Sequence, residues 1–352
     1  MYTASEFHGT AAKIIIYRNN TIVVTEMDKK NLIILLLAIA TAVFLAGMGV
    51  CFGIIVSSPA DVSQVPDDDA YMERLNGYVS DIRKITNFEP DVAVVLGSGL
   101  GGFVEAMDVE ATVPYSSLKG FPQSTAVGHA GNFVFGTLNG VKLVVMQGRV
   151  HYYEGYDMDD VVLPLRVMHL LGADTVILSC SVGSLNTDIP KGSFVVVKDH
   201  ISSFVPSPLR GNEIKELGQR FVPMNDVYDS ELRQIVLDIG KESGIPVVEG
   251  VHLQVPGPQY ETPTECNFYR AIGADTVSMS SVVEAIAARQ MEMRVCLICC
   301  VTDMANVNDS NTQPTNGDDV VATARQMGEV FTSLVTRLIE RMPVNGNGSA
   351  TS

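Results

Sequence analysis

Three short stretches of this chain gather the residue types that hold anions and move protons. The first, Gly97-Ser98-Gly99-Leu100-Gly101-Gly102, follows an apolar run and matches GxGxxG. A dinucleotide site of that pattern needs an acidic residue roughly twenty positions further on for the ribose hydroxyls, and residues 117–126 contain none. What remains is a turn whose backbone N–H groups and Ser98 hydroxyl suit one phosphate, or equally a tight glycine turn with no ligand. The second stretch is Gln147-Gly148-Arg149-Val150-His151-Tyr152-Tyr153-Glu154-Gly155. Arg149 offers a planar fork to an oxyanion, His151 a donor or a proton, and Tyr153 a hydroxyl on a rigid ring. Arg149 and His151 share a parity at a strand end and so face one cleft. His129, in Gly128-His129-Ala130-Gly131, either joins them or stabilises a turn. The third stretch runs from Gly257-Pro258-Gln259-Tyr260-Glu261-Thr262 to Met279-Ser280 and Thr302-Asp303. There a planar base can stack on Tyr260 while Glu261 and Asp303 bond its edge, with the Met279 sulfur under a sugar. Singly, a Met is more often core filler and a Glu in a first helical turn a dipole cap.

These stretches sit at the ends of alternating elements. Short β-rich runs at 91–96, 141–147, 175–179, 193–197, 250–254 and 294–302 predict strands. Patterns of helical period at 159–171, 230–243, 264–272, 282–290 and 318–341 predict helices between and after them. Such alternation predicts an α/β fold, a mostly parallel sheet with helices on both faces and ligands at the strand C-termini. One domain is expected over residues 71–343, followed by a polar tail at 344–352.

The 352 residues are 46% hydrophobic, enough for a sizeable core. A formal charge of −16 excludes nucleic acid as a partner, because phosphate backbones are held by clustered Lys and Arg. The six cysteines show no paired metal-ligand spacing, and the Cys296/Cys299 CxxC lies inside an apolar run read as a core strand, so no metal is expected. Residues 31–56 carry no charge and are long enough to cross a membrane as one helix. That predicts an N-terminal tail at 1–30, a transmembrane anchor at 31–56 and an acidic linker at 57–70. Lys29 and Lys30 before the span and Asp67, Asp68 and Asp69 after it predict a membrane protein with a cytoplasmic N-terminus.

Taken together and in order, GSGLGG, FPxST with GHAG, MQGRxHxYEGY, PxRVxHLLG, GPxxETxxE and MSxVxE resemble the trimeric type of purine nucleoside phosphorylase, from about Tyr71 to Pro343. The resemblance implies a phosphorylase-type twisted mixed β-sheet flanked by helices and a homotrimer with sites near subunit interfaces. It also implies inorganic phosphate as co-substrate, with no metal or organic cofactor. Residue by residue, it implies phosphate contacts at Ser98, Arg149, His151 and Ser280, with Ser181 on the same wall and His129 as an extra contact. It implies ribose contacts at Tyr153 and Met279, Tyr260 against the base, Glu261 on the N1 edge, and Asp303 where the family has an Asn near N7. His151, Glu261 and Asp303 are thereby the candidate catalytic residues, and Phe204 the candidate for a ring that closes a neighbour's site.

Three departures stand out. Residues 179–184 read Ser-Cys-Ser-Val-Gly-Ser where the family has Asn-Ala-Ala-Gly-Gly, Asp303 replaces Asn, and Gly317 falls where a His meets the ribose 5′-hydroxyl. The first two resemble methylthioadenosine phosphorylases, so an adenosine or methylthioadenosine phosphorylase is the alternative activity. A membrane-tethered purine-binding protein without turnover is the alternative from another class.

Overall fold

The computed structural model describes residues 13–17, 21–25, 68–126, 128–211, 214–305 and 315–343, in two units that divide at residues 66 and 67. In the first unit, β1 (Lys13–Tyr17) and β2 (Thr21–Thr25) form an antiparallel pair. No helix among the described residues is long and apolar enough to cross a membrane. This overturns the expected placement as an anchored membrane protein, and the expected span, 31–56, itself lies outside the described residues, as do most of the expected linker and the polar tail.

The second unit opens with α1 (Asp68–Arg83), inside what the acidic run made a linker. Its acids sit in the first helical turn, where the helix dipole favours them, and Leu75, Tyr78 and Ile82 supply a buried stripe. Next come β3 (Val92–Val95), β4 (Asp108–Pro114), β5 (Asn132–Leu138), β6 (Val141–Gln147) and α2 (Met158–Leu170). β7 (Thr175–Ser184), β8 (Phe194–Ile201), α3 (Ser230–Ser243), β9 (Val247–Gln254) and α4 (Pro263–Ala271) follow. The unit ends with β10 (Thr276–Ser278), α5 (Val282–Gln290), β11 (Arg294–Met304) and α6 (Gly317–Arg341).

The strands form one nine-stranded sheet in the order β10-β9-β8-β11-β7-β3-β6-β5-β4. The four at its centre, β11, β7, β3 and β6, are parallel, whereas β4, β5 and the β8–β11 pair run antiparallel. The sheet is therefore mixed, as the family resemblance implied and the alternation alone did not. β10 also pairs with the far end of β7, which closes β7, β11, β8, β9 and β10 into a barrel-like half.

Both faces of the centre are apolar, so the strands read as continuous hydrophobic runs. Ala93 and Val95 point to a core shared with Leu75, Leu163 and Ala285 of α1, α2 and α5. Val92 and Val94 point to a second core with Val236 of α3 and Phe331 and Leu334 of α6. Helix starts are capped where the sequence supplies caps: Asp229 accepts from Leu232 N at 2.9 Å, and Thr262 and Glu265 form a reciprocal capping box.

Candidate active site

Because β3, β6, β7 and β11 are parallel, their C-terminal ends open on one side of the sheet. A cavity of about 290 Å³ lies there. Its phosphate-suited wall carries Ser98 from the turn after β3, Arg149 and His151 from the turn after β6, Ser181 on β7, and Ser280 between β10 and α5. The rest of the lining includes Tyr153, which stacks on His151, with Tyr260, Glu261, Met279 and Asp303. His129 is not among the lining residues and stands behind Ser98. Phe204 is also outside the cavity, partly exposed against Phe268 and Tyr269.

The glycine turn contributes less than its length promised. Gly97 must be glycine because a Cβ would meet Cys180 Cα at 2.9 Å. Gly99, at φ +82°, turns the chain away against Ala324 and Val321 of α6, and Gly101–Ala106 forms a 3₁₀ helix rather than an α-helix. Only Gly97 and Ser98 of the run reach the cavity.

Arg149 is buried, and its two Nη groups are taken by the protein. Nη1 donates to Ser281 Oγ at 2.6 Å and to Glu284 Oε2 at 2.8 Å, and Nη2 donates to the carbonyls of Val95, at 3.4 Å, and Ser179. Nε has no partner among the described residues. The two-pronged grip expected of Arg149 is therefore engaged inward in this arrangement, and Arg149 borders the cavity chiefly as a buried charge. Glu284 Oε2 also accepts from Ser281 N at 2.8 Å, completing a capping box at the start of α5. That box holds Ser281 at φ +79°, a left-handed conformation uncommon for serine, beside Ser280. Gln254 Oε1 accepts from the next two amides, Val282 N at 2.8 Å and Val283 N at 3.0 Å.

The two histidines have assigned roles. His129 Nδ1 lies 2.7 Å from Arg149 N and 3.1 Å from Arg149 O, so the backbone of Arg149 fixes the ring in place. Nε2 is 2.9 Å from Ser98 Oγ, which borders the cavity. Burial, then the charges of His151 and Arg149, push His129 down to about 3, so this ring is neutral near neutral pH. His151 Nδ1 is 2.9 Å from Glu154 Oε1, and the ring stacks on Tyr153 at 4.7 Å between centroids. Burial pushes the Glu154 carboxyl up, but hydrogen bonds from His151 and Thr125 outweigh it and hold it down at about 2. An ionised Glu154 keeps the Nδ1 proton in place and turns Nε2 outward as the working nitrogen.

Among the other lining residues, a bulge in the β11–β7 register between Val301 and Asp303 sets Asp303 opposite Gly183. A Cβ on Gly183 would lie 3.2 Å from Asp303 Oδ2. Burial raises the Asp303 carboxyl above its usual range, opposed by a hydrogen bond from Thr302 and the charge of Lys191. Burial also raises Glu261, and the like charge of Asp303 adds to it. The lining thus holds two acids that are more easily protonated than free carboxylates. Tyr260 is half-exposed, and a Cβ on Gly317 would come within 3.5 Å of its Oη.

A model of the phosphorylase superfamily matches residues 91–340. Purine nucleoside phosphorylase 1 of Geobacillus stearothermophilus is 39% identical over 257 residues, covering 73% of this chain and 93% of the relative. Bovine purine nucleoside phosphorylase is 38% identical, covering 74% and 92%. The chain belongs to the phosphorylase superfamily, among the purine nucleoside phosphorylases. The Schistosoma mansoni purine nucleoside phosphorylase solved with inosine superposes with a TM-score of 0.74 at 36% identity, over 78% of this chain and 98% of the other. The structure of that enzyme with adenosine matches equally well, at a TM-score of 0.74.

Within this family fold, the residues that sequence reasoning left without a role are those that brace the site. Glu284, Ser281 and Gln254 fix the Ser280 turn, and Glu154 fixes His151. Their signal was present as capping-box spacing, Ser281 to Glu284, which names a helix start rather than a partner for a distant arginine. Val182, Thr302 and Val320 add apolar or hydroxyl surface to the cavity. The Ser179 to Ser184 departure forms the last part of β7, and Cys180 and Ser181 face the cavity from it.

Proposed function

We propose that this purine nucleoside phosphorylase cleaves purine ribonucleosides or deoxyribonucleosides reversibly to free base and α-ribose 1-phosphate or its deoxy form, with the roles divided between the two groups of lining residues. The observation that carries the division is the chemistry of the lining, which combines hydroxyls, Arg149 and His151 with two acids of raised pKa. Phosphate held by Ser98, Arg149, His151, Ser181 and Ser280 is both nucleophile and counter-charge to a ribosyl group with oxocarbenium character. His129 acts through Ser98 by orienting its hydroxyl. Tyr153 and Met279 bound the sugar, and Tyr260 covers the base. Glu261 and Asp303 bond the base edge, and a proton shared between them meets the charge that grows on the departing purine. Attack from the face opposite the base inverts C1′, and no covalent enzyme intermediate is needed. Fixing phosphate beneath the sugar replaces an encounter from solution.

A second reading concerns only the base. Asp303 and the absence of a side chain at Gly317 favour 6-aminopurines and nucleosides without a 5′-hydroxyl, because an ionised Asp accepts from an exocyclic amine and repels an oxo group. Release of free base from inosine, guanosine, adenosine and 5′-methylthioadenosine, measured side by side at saturating phosphate, decides between the two. Highest kcat/KM for inosine or guanosine supports the first reading, and highest for the other two supports the second. Binding of these nucleosides without release of base would instead make the chain a purine-binding protein. We also propose a homotrimer, supported by the family resemblance and by the exposed Phe204 and Phe268. Sedimentation of a dimer or monomer would contradict it.

A further inference from the structure

Below the cavity floor, the closed half of the sheet buries an unusual set of side chains. Cys180 on β7 and Cys299 on β11 are directly paired in register, with their sulfurs 3.5 Å apart. His252 on β9 reaches into the same interior, and one of its ring nitrogens lies within 4.8 Å of both sulfurs. All three residues are at least 98% buried, and Cys180 also lines the cavity. The phosphorolysis scheme uses none of them.

We propose that Cys180, Cys299 and His252 form a binding site for a thiophilic metal ion of the Zn²⁺ class, entered from the nucleoside cavity. Two thiolates and one imidazole are a donor set that Zn²⁺ favours over hard cations. With Zn–S near 2.3 Å, a tetrahedral pair of sulfurs stands about 3.8 Å apart, close to the 3.5 Å seen here. The ring is already held from behind: His252 Nδ1 is 2.9 Å from Thr276 Oγ1 and Nε2 is 3.0 Å from Ser278 Oγ. One hydroxyl keeps the ring proton as second-shell partner while the other yields its nitrogen to the ion. Both thiols lose their protons to solvent on binding, so occupancy falls as pH is lowered. Three protein ligands leave a fourth position, and because Cys180 borders the cavity that position is open to water or to the bound anion. An ion there occupies the ground beneath Ser98 and Ser181, so it inhibits turnover reversibly. The spacing of cysteines along the chain hides this site, because its ligands come from three strands. Cys296 of the CxxC belongs to the opposite core face.

The test uses the full chain, stripped of metal and kept under a phosphine reductant. Titration with Cd²⁺ should give ultraviolet sulfur-to-metal charge transfer of two-thiolate intensity, saturating at one ion per chain, and Zn²⁺ should displace it. Cys299→Ala should weaken Zn²⁺ binding at least tenfold, while Cys296→Ala, in the same strand, leaves it unchanged. Base release should fall in step with Zn²⁺ occupancy in the parent and resist Zn²⁺ in Cys299→Ala. A parent protein with no two-thiolate band overturns the site without recourse to any variant, as does equal binding by Cys299→Ala. Metal binding is read without turnover, so failure of the phosphorylase assignment and failure of this site are separate results.

Discussion

Replacing Glu284 by Gln removes one charge and almost no volume from the centre of the site. The carboxylate is 2.8 Å from Arg149 Nη1, and the two side chains are 2% and 1% exposed. With charge centres about 4 Å apart and an effective dielectric near 20, the attraction lost is about 4 kcal/mol. The amide oxygen still accepts from Arg149, which retains about 1 kcal/mol and leaves a net loss of about 3 kcal/mol. For a domain of this size that lowers Tm by roughly 5 °C. Calorimetry with and without phosphate separates this loss from a packing defect. An anion in the cavity becomes the principal counter-charge of Arg149 in Glu284→Gln, so phosphate should raise Tm more in the variant than in the parent. A variant that melts within about 2 °C of the parent, or gains no more than it from phosphate, would mean that the Arg149 charge is balanced elsewhere and that this account of the buried pair is wrong.

Asp303→Asn should lower the adenosine over inosine ratio of kcat/KM by roughly 5- to 30-fold above the raised pKa of Asp303, and less below it, where the acid is protonated and donates; a pH-independent, unchanged ratio would exclude Asp303 from reading the base. Glu154→Gln should raise KM for phosphate and cost roughly 10-fold or more in kcat/KM, since a charge-assisted bond that orients His151 is worth about 1.5–3 kcal/mol. Glu154 is held below its ordinary 4.5 at about 2, so its stabilising contribution is complete above 4.5 and lost as pH falls through about 2. The parent should therefore lose more stability than Glu154→Gln over that window in acid titrations. Gly317→His should be tolerated, because a Cβ there meets only Tyr260 Oη at 3.5 Å, and should lower KM for inosine relative to 5′-methylthioadenosine in steady-state assays.

The parts of the molecule legible in the sequence are those where one short segment carries its own reason. β6, α3 and α5 lie at the expected residues because their apolar periods and end signals are local. Of the missed β4 and β5, β4 lacks that locality: it is mostly exposed, Asp108 to Pro114, and is a strand only because β5 pairs with it, whereas β5 is largely buried. β10 has three residues and exists through pairing with both β9 and β7. The sheet is mostly parallel as expected, and only its antiparallel pairs, β8–β11, β6–β5 and β5–β4 with the closing β10–β7, went unforeseen, since a strand's direction is set by where its connection returns and leaves no mark in its own residues. At the site, residue types named the groups that face the cavity, whereas the groups behind them were hidden. Arg149 and Glu284 are 135 positions apart, and Cys180 and His252 meet only inside a closed half-barrel. The expected membrane anchor rested on the apolar character of one run, and no described helix supports it.

In the mechanism proposed above, phosphate seated by Arg149 and its neighbours is the group that displaces the purine. The most direct measurement is product analysis of inosine cleavage by the purified chain while phosphate is varied, in the parent and in Arg149→Ala. Hypoxanthine and ribose 1-phosphate should appear in equal amounts, the rate should vanish without phosphate, and the phosphate requirement should rise severely in Arg149→Ala. Release of hypoxanthine with free ribose at a rate indifferent to phosphate, or an unchanged phosphate dependence in Arg149→Ala, would contradict it.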